Sequence, residues 1–258
     1  MVANKKRQPA AIPIWLIRET RSMSILYLIR HGQASFGTSD YDSLSDRGRH
    51  QARVLGAFFL EAGIRFDACW SGTLRRQYQT LGEVRDTYLK AGLDLPLPTE
   101  TAALDEYDYE AILRALVPII EKEDPAFIRD VGRMLSDRRA FQKVFGRVMT
   151  RWASGLDTVD DLSKWSSFAA GVNKGTRNII NRSDRGGHVA VFTSGGPIAA
   201  TIGSVTGLSA EKTVALSWQL VNASITRFKF SDGQISLATF NEQGHLEREG
   251  EIGLITYR

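Results

Sequence analysis

Four short stretches of the chain carry residues that can handle an anion: Arg30-His31-Gly32, Arg75-Arg76, the acidic run from Asp105 to Glu110, and Ser194-Gly195-Gly196. An arginine offers a planar fork that matches phosphate or carboxylate. A histidine can serve as nucleophile, base or acid near neutral pH. A glycine beside it lets the backbone approach a ligand closely. Two adjacent arginines at the start of a helix suggest an anion site, because the first turn of a helix presents free N–H groups. At this level Arg75 and Arg76 are equivalent. Among Asp105, Glu106, Asp108 and Glu110, some complement the dipole of the helix that follows, and the residue types alone do not say which one does chemistry.

These residues need elements to hold them. Ile25–Ile29 is an apolar run ending at a glycine and reads as a buried strand. Ser45 caps a helix whose buried stripe is Val54, Leu55, Phe58 and Phe59, with Gly63 at its end. Phe66–Ser71 is a second strand, followed by a helix from about Thr73 to Lys90. Leu97–Leu104 reads as a third strand, after which Ala111–Glu121 is helical. From Pro125 to Arg182 the apolar spacing is helical throughout, and residues from about 108 to 185 read as an insertion covering one side of the sheet. A strand from Gly186 to Thr193 runs into a helix over Ile198–Val205, with Pro197 suited to its first turn. Asn222–Phe230 and Gln234–Phe240 form a hairpin turning at Ser231-Asp232-Gly233, and Ile252–Tyr257 is a final edge strand. Strands alternating with helices make this an α/β chain with a mostly parallel sheet, so that the three strand-to-helix turns lie along one sheet edge.

The 258 residues are 43% hydrophobic and 24% charged, an ordinary globular composition. One cysteine, Cys69, excludes an intrachain disulfide framework, and with four histidines there is no zinc-ligand cluster. A net charge of +4 is spread through helical segments and interleaved with acids, apart from Lys5-Lys6-Arg7. That pattern argues against nucleic acid as a partner and is compatible with an anionic substrate. No run reaches the ~20 apolar residues of a membrane helix. The apolar stretch Ala10–Ile17 contains Pro13 and lacks a small-residue cleavage site, so residues 1–23 are expected to be a flexible extension ahead of a single domain over 24–258. A cytoplasmic setting is expected.

Taken together, these stretches resemble the histidine phosphatase superfamily, also called phosphoglycerate mutase-like. Leu28-Ile29-Arg30-His31-Gly32-Gln33 is similar to its signature, and Leu44-Ser45-Asp46-Arg47-Gly48-Arg49-His50-Gln51-Ala52 to the segment that follows it. Ser71–Thr80 resembles the second-arginine segment, and counting back from Gln79-Thr80 places the family arginine at Arg76. Leu104-Asp105-Glu106 resembles the family's Leu-x-Glu. The resemblance implies a three-layer αβα fold, and a phosphomonoesterase in which His31 carries a phosphohistidine, Arg30 and Arg76 hold the phosphoryl oxygens, and Glu106 is the proton donor. Ser194 and Gly195 would stand beside the phosphate. No metal or other cofactor is implied.

The chain departs from that pattern twice. Ser194 stands where the family carries a second histidine, and Ser35-Phe36-Gly37 lacks an asparagine that mutases use on substrate. The second departure favours a phosphatase over a mutase-type phosphotransferase. The first motivates an alternative, a phosphate-binding regulatory protein with weak or no turnover. The expected partners are a small phosphorylated substrate and inorganic phosphate as product, without nucleic acid or membrane. Oligomeric state is open, a homodimer being one option. His50 and His245 read as surface residues.

Overall fold

The structure, a computed structural model, describes residues 23–35, 42–160 and 162–257. The extension read over 1–23 lies outside the described residues except for Met23, as do Phe36 and Gly37. The elements in order are β1 (Ser24–Arg30), α1 (Asp46–Glu61), β2 (Ala68–Ser71), α2 (Arg75–Lys90), β3 (Pro98–Glu100), α3 (Tyr109–Glu123), α4 (Ile128–Val131), α5 (Arg138–Ser154), α6 (Trp165–Asn181), β4 (His188–Thr193), α7 (Gly195–Thr206), α8 (Ala210–Ser217), β5 (Ile225–Ser231), β6 (Gln234–Glu242) and α9 (Gly244–Glu247).

The strands form one sheet in the order β3-β2-β4-β1-β5-β6. Pairings β2–β3, β2–β4 and β1–β4 are parallel, and the β5–β6 hairpin adds to β1 antiparallel. β1 is apolar without alternation because both its faces are covered. Tyr27 and Ile29 pack with Leu55, Phe59, Leu81 and Tyr88 of α1 and α2. Leu26 and Leu28 pack with Ile179, Ile198 and Ile202 of α6 and α7. This is the three-layer arrangement. A third cluster joins Ile112, Leu116, Val144, Val148 and Trp152 of α3 and α5 to Val172, Ala200 and Val214, seating the helices between β3 and β4 on the α7 side.

The helix after β1 packs on one face and the helix after β4 on the other. β1 and β4 therefore flank a topological switch point, where open α/β sheets form a crevice at the strand C-termini. Arg30 pairs with Thr193, and the His31 N–H donates to the Thr193 carbonyl at 2.9 Å, so both strands deliver their last residues to the same place.

Three expectations change. Ile252–Tyr257 makes no strand: Gly250 and Gly253, with φ of 64° and 85°, turn the chain, and the segment's carbonyls go to Gln51, Arg30 and Asn222. The third strand is cut to Pro98–Glu100 because the Thr101 hydroxyl accepts from Ala103 N and starts a 3-10 turn over Ala102–Leu104. His245 is a core residue, 4% exposed, stacked on Phe58 and donating to the Ala223 carbonyl at 3.1 Å. The stretch before Leu220 is the helix α8, capped by Ser209.

Candidate active site

Arg30 and His31 leave the C-terminal end of a strand, Arg76, Ser194 and Gly195 open helices, and Glu106 follows the 3-10 turn after β3. Arg30 ends β1 and His31-Gly32 follows it. The turn after β1 is tight because Gly32 and Gly48 of α1 meet backbone to backbone: a Cβ on Gly32 would lie 2.3 Å from the Gly48 carbonyl oxygen. The Gly32 N–H donates to Thr80 Oγ1 at 3.0 Å, the Gln33 N–H to Gln51 Oε1 at 2.8 Å, and the His31 carbonyl accepts from Asn222 Nδ2 at 3.2 Å. Thr80, Gln51 and Asn222 are fully buried. The loop that carries His31 is thus fastened from α1, α2 and the segment before β5.

His31 is itself buried, at 5% exposure. Its Nδ1 lies 2.7 Å from the Gly32 carbonyl, and its Nε2 lies 3.2 Å from Arg76 Nε. A carbonyl only accepts and a guanidinium only donates. These partners therefore assign the proton to Nδ1 and leave the lone pair on Nε2. Loss of water, with Arg76 and then Arg30 nearby, holds the imidazole's pKa well below its ordinary value, outweighing the Gly32 hydrogen bond that opposes it. The ring is neutral at neutral pH, and its Nε2 electron pair accepts from Arg76 Nε.

Of the two adjacent arginines, Arg76 reaches His31, and the Arg75 side chain is exposed. Arg76 Nη1 also donates to Asp42 Oδ1 at 2.6 Å. Arg30 is anchored from behind, Nη1 donating to the Leu220 carbonyl and Nη2 to the Tyr257 carbonyl at 3.0 Å.

Among the acids, the structure separates roles that residue type left open. Asp105 accepts from Thr73 N at 2.6 Å and Thr73 Oγ1 at 2.5 Å, tying the turn after β3 to the start of α2. Asp108 caps α3, accepting from Ala111 N at 2.9 Å, and Glu110 is exposed. Glu106 faces Arg30 and the start of α7. Both its carboxylate oxygens accept from Gly196 N at 3.1 Å, and a Cβ on Gly195 would stand 3.8 Å from both Glu106 Oε2 and Arg30 Nε. Loss of water raises the Glu106 pKa, over the lowering by the Gly196 N–H and by Arg76 and Arg30. The residue stays partly exposed.

Ser194 caps α7 without bonding its own helix. It is completely buried, and its Oγ accepts from Gln77 Nε2 at 2.8 Å. Gln77 also donates to the Leu104 carbonyl at 3.0 Å, so one amide ties Ser194 to the turn that carries Glu106. A Cβ on Gly196 would fall 2.0 Å from Glu106 Oε1 and 2.8 Å from the Tyr107 ring, so a side chain here would displace the Glu106 carboxylate. The structure thus gathers Arg30, His31, Arg76, Glu106, Ser194 and Gly195 at the ends of β1, β2 and β4. Among the described residues there is no group of three or more His, Cys, Asp or Glu placed to hold a metal ion, and no helix is long and apolar enough to cross a membrane.

Sequence reading missed Asp42, which sits in a loop with no pattern of its own. It also missed Thr80 and Gln51, although both lie within the motif segments quoted above, and it left Asn222 out of the site.

Among solved structures, the chain is similar to phosphoserine phosphatase from Entamoeba histolytica, at 19% identity and a TM-score of 0.59 over 87% of this chain and all of that one. It is likewise similar to phosphoglycerate mutase from Bacillus anthracis, at 17% identity and a TM-score of 0.59 over 90% of this chain and 98% of that one. A mycobacterial glucosyl-3-phosphoglycerate phosphatase matches at 19% identity and a TM-score of 0.58, over 86% of this chain and 100% of that one. Identities this low show a shared fold. The family model described as histidine phosphatase superfamily (branch 1) matches residues 26–243, a span that contains each of the gathered residues. The chain belongs to the histidine phosphatase superfamily.

Proposed function

We propose that the protein is a phosphomonoester hydrolase working through a phosphohistidine on His31 Nε2. The observation that carries this reading is the state of His31: neutral, with its proton on Nδ1 toward Gly32 O and its lone pair 3.2 Å from the Arg76 guanidinium. In the first step Nε2 forms a bond to phosphorus and the bond from phosphorus to the leaving oxygen breaks. Glu106, whose pKa is raised by loss of water, gives its proton to that oxygen. Arg76 and Arg30 neutralise the charge that builds on the phosphoryl oxygens. In the second step water attacks phosphorus, Glu106 takes up the water's proton, and the N–P bond breaks to release phosphate and restore His31. Gln77 fills the acceptor side of Ser194, which leaves the Ser194 hydroxyl to donate a hydrogen bond to a phosphoryl oxygen.

The test is a trapping experiment. Wild-type protein quenched during turnover of a ³²P-labelled phosphomonoester should carry acid-labile label, and His31→Ala should carry none. An unlabelled wild type, under conditions that label a known relative, would sink the hydrolase reading. It would favour a second one, a phosphate-binding protein without turnover. That reading has its own observation, the uncharged Ser194 at the start of α7.

A further inference from the structure

The carboxylate of Asp42 does something the proposed reaction does not use. Its Oδ1 accepts from Arg76 Nη1 at 2.6 Å, and its Oδ2 accepts from the Arg75 N–H at 2.8 Å. Arg75 is the first residue of the 16-residue helix α2. One carboxylate therefore takes a guanidinium edge and a helix N-terminal N–H together, the pair of donors that a phosphoryl group takes with two of its oxygens. The same guanidinium lies 3.2 Å from His31 through Nε, so this anion stands on the group nearest the nucleophile.

The contact is built rather than incidental. The backbone just after Asp42 is pinned on both sides: Ser35 N donates to the Ser43 carbonyl at 2.8 Å, and Leu44 N donates to Gln79 Oε1 at 2.7 Å. A bridge between Ala34 and Leu44 holds the same base. The Asp42 side chain is 40% exposed, whereas that of Arg76 is 11% exposed. The acid can thus return to water at little cost and the arginine cannot.

We infer that Asp42 is an internal competitor for the phosphoryl group, holding Arg76 and the start of α2 until a phosphate ester or free phosphate displaces it. This rests on the reading of Arg76 as a phosphoryl-binding residue. A carboxylate and a phosphoryl dianion repel each other across shared donors, so the ligand has to displace the acid, and every phosphate ligand binds more weakly by the same factor. Such uniform weakening raises KM and leaves kcat in place. It also limits retention of the product, inorganic phosphate. If Asp42 only oriented Arg76, removing it would instead weaken phosphate binding and lower kcat. The two roles differ in sign.

The experiment titrates inorganic phosphate into wild type, Asp42→Asn, Asp42→Ala and Arg76→Ala by calorimetry at low ionic strength, with steady-state kinetics on one phosphomonoester. Both Asp42 variants should bind phosphate about tenfold tighter and lower KM by about the same factor, with kcat within about twofold. Arg76→Ala should bind phosphate more weakly than wild type. If the Asp42 variants bind phosphate no tighter while Arg76→Ala binds it more weakly, the competitor role is overturned and the phosphoryl site stands. If Arg76→Ala binds phosphate as well as wild type, the phosphoryl site itself is overturned, and the role of Asp42 goes with it.

Discussion

His31 and Glu106 sit in the same crevice and have their pKa values pushed in opposite directions, the pattern expected when one group must be a neutral nucleophile and the other a proton donor. His31 is competent above its depressed pKa, and Glu106 is competent as an acid below its raised one. The rate of the first step should therefore fall at low pH as His31 protonates and at high pH as Glu106 ionises. Measured as kcat/KM and corrected for substrate ionisation, the alkaline limb should disappear in Glu106→Gln. That variant should lose on the order of 10²–10⁴ in rate on an alkyl phosphate, whose leaving oxygen needs a proton. It should lose far less on an aryl phosphate with an acidic phenol. An equal loss on both substrates would remove Glu106 from the proton-donor role.

At the scale of elements, the decisive contact is that between the turn after β1 and the first turn of α1. A Cβ on Gly48 would lie 2.1 Å from the Gln33 carbonyl oxygen and 2.8 Å from the Gln33 nitrogen, both main-chain atoms with no side-chain freedom to yield. Gly→Ala inside a helix ordinarily gains up to about 1 kcal/mol. Here overpacking should reverse the sign, so that Gly48→Ala loses about 1–3 kcal/mol in urea denaturation. It should also lower kcat, because the displaced loop carries His31. A Gly48→Ala protein as stable as wild type would show that α1 does not set the position of that loop. The helices between β3 and β4 work differently. Tyr107, next to Glu106, packs on Trp152 and Phe168 at ring distances of 4.9 and 5.4 Å. The aromatic side chains of α5 and α6 thus brace the turn that presents the acid.

Across the whole molecule, residues far apart in sequence close the site from behind. Gln51 Nε2 donates to the Leu254 carbonyl at 2.6 Å and to Thr256 Oγ1 at 2.8 Å, the Asn222 N–H donates to the Thr256 carbonyl at 2.8 Å, and Tyr257 O holds Arg30. His245, nearby in α9, adds a pH dependence to stability. Burial lowers its pKa from 6.5 to about 4. A depressed folded-state value means the contribution is complete above the unfolded pKa and is lost as pH falls toward the folded one. From pH 6.5 down to about 4 the protein should lose up to roughly 3 kcal/mol from this residue. Denaturation midpoints at pH 7 and pH 4.5 should converge in His245→Gln, which keeps a donor for the Ala223 carbonyl and cannot charge. An unchanged pH dependence would put the acid sensitivity elsewhere. By itself the sequence determined what is local: the buried strand before Arg30, the Ser45 cap, the helix at the second arginine segment, the existence of a helix after β4 (though it starts at Gly195 and not at Ile198), and the Asp232-Gly233 turn, because strand and helix periods and turn chemistry are written in neighbouring residues. The family resemblance pointed to Arg76 and Glu106, but only the tertiary structure shows their surroundings: Arg76 meets His31 while Arg75 is exposed, and Glu106, Asp105 and Asp108, which lie within one turn of chain, meet three different partners. The tertiary structure also turned the expected last strand into a clasp and moved His245 from surface to core. It placed Asp42 on Arg76 too, since a contact between a loop and a helix 34 positions apart is set by packing and charge in space and leaves no period in the sequence.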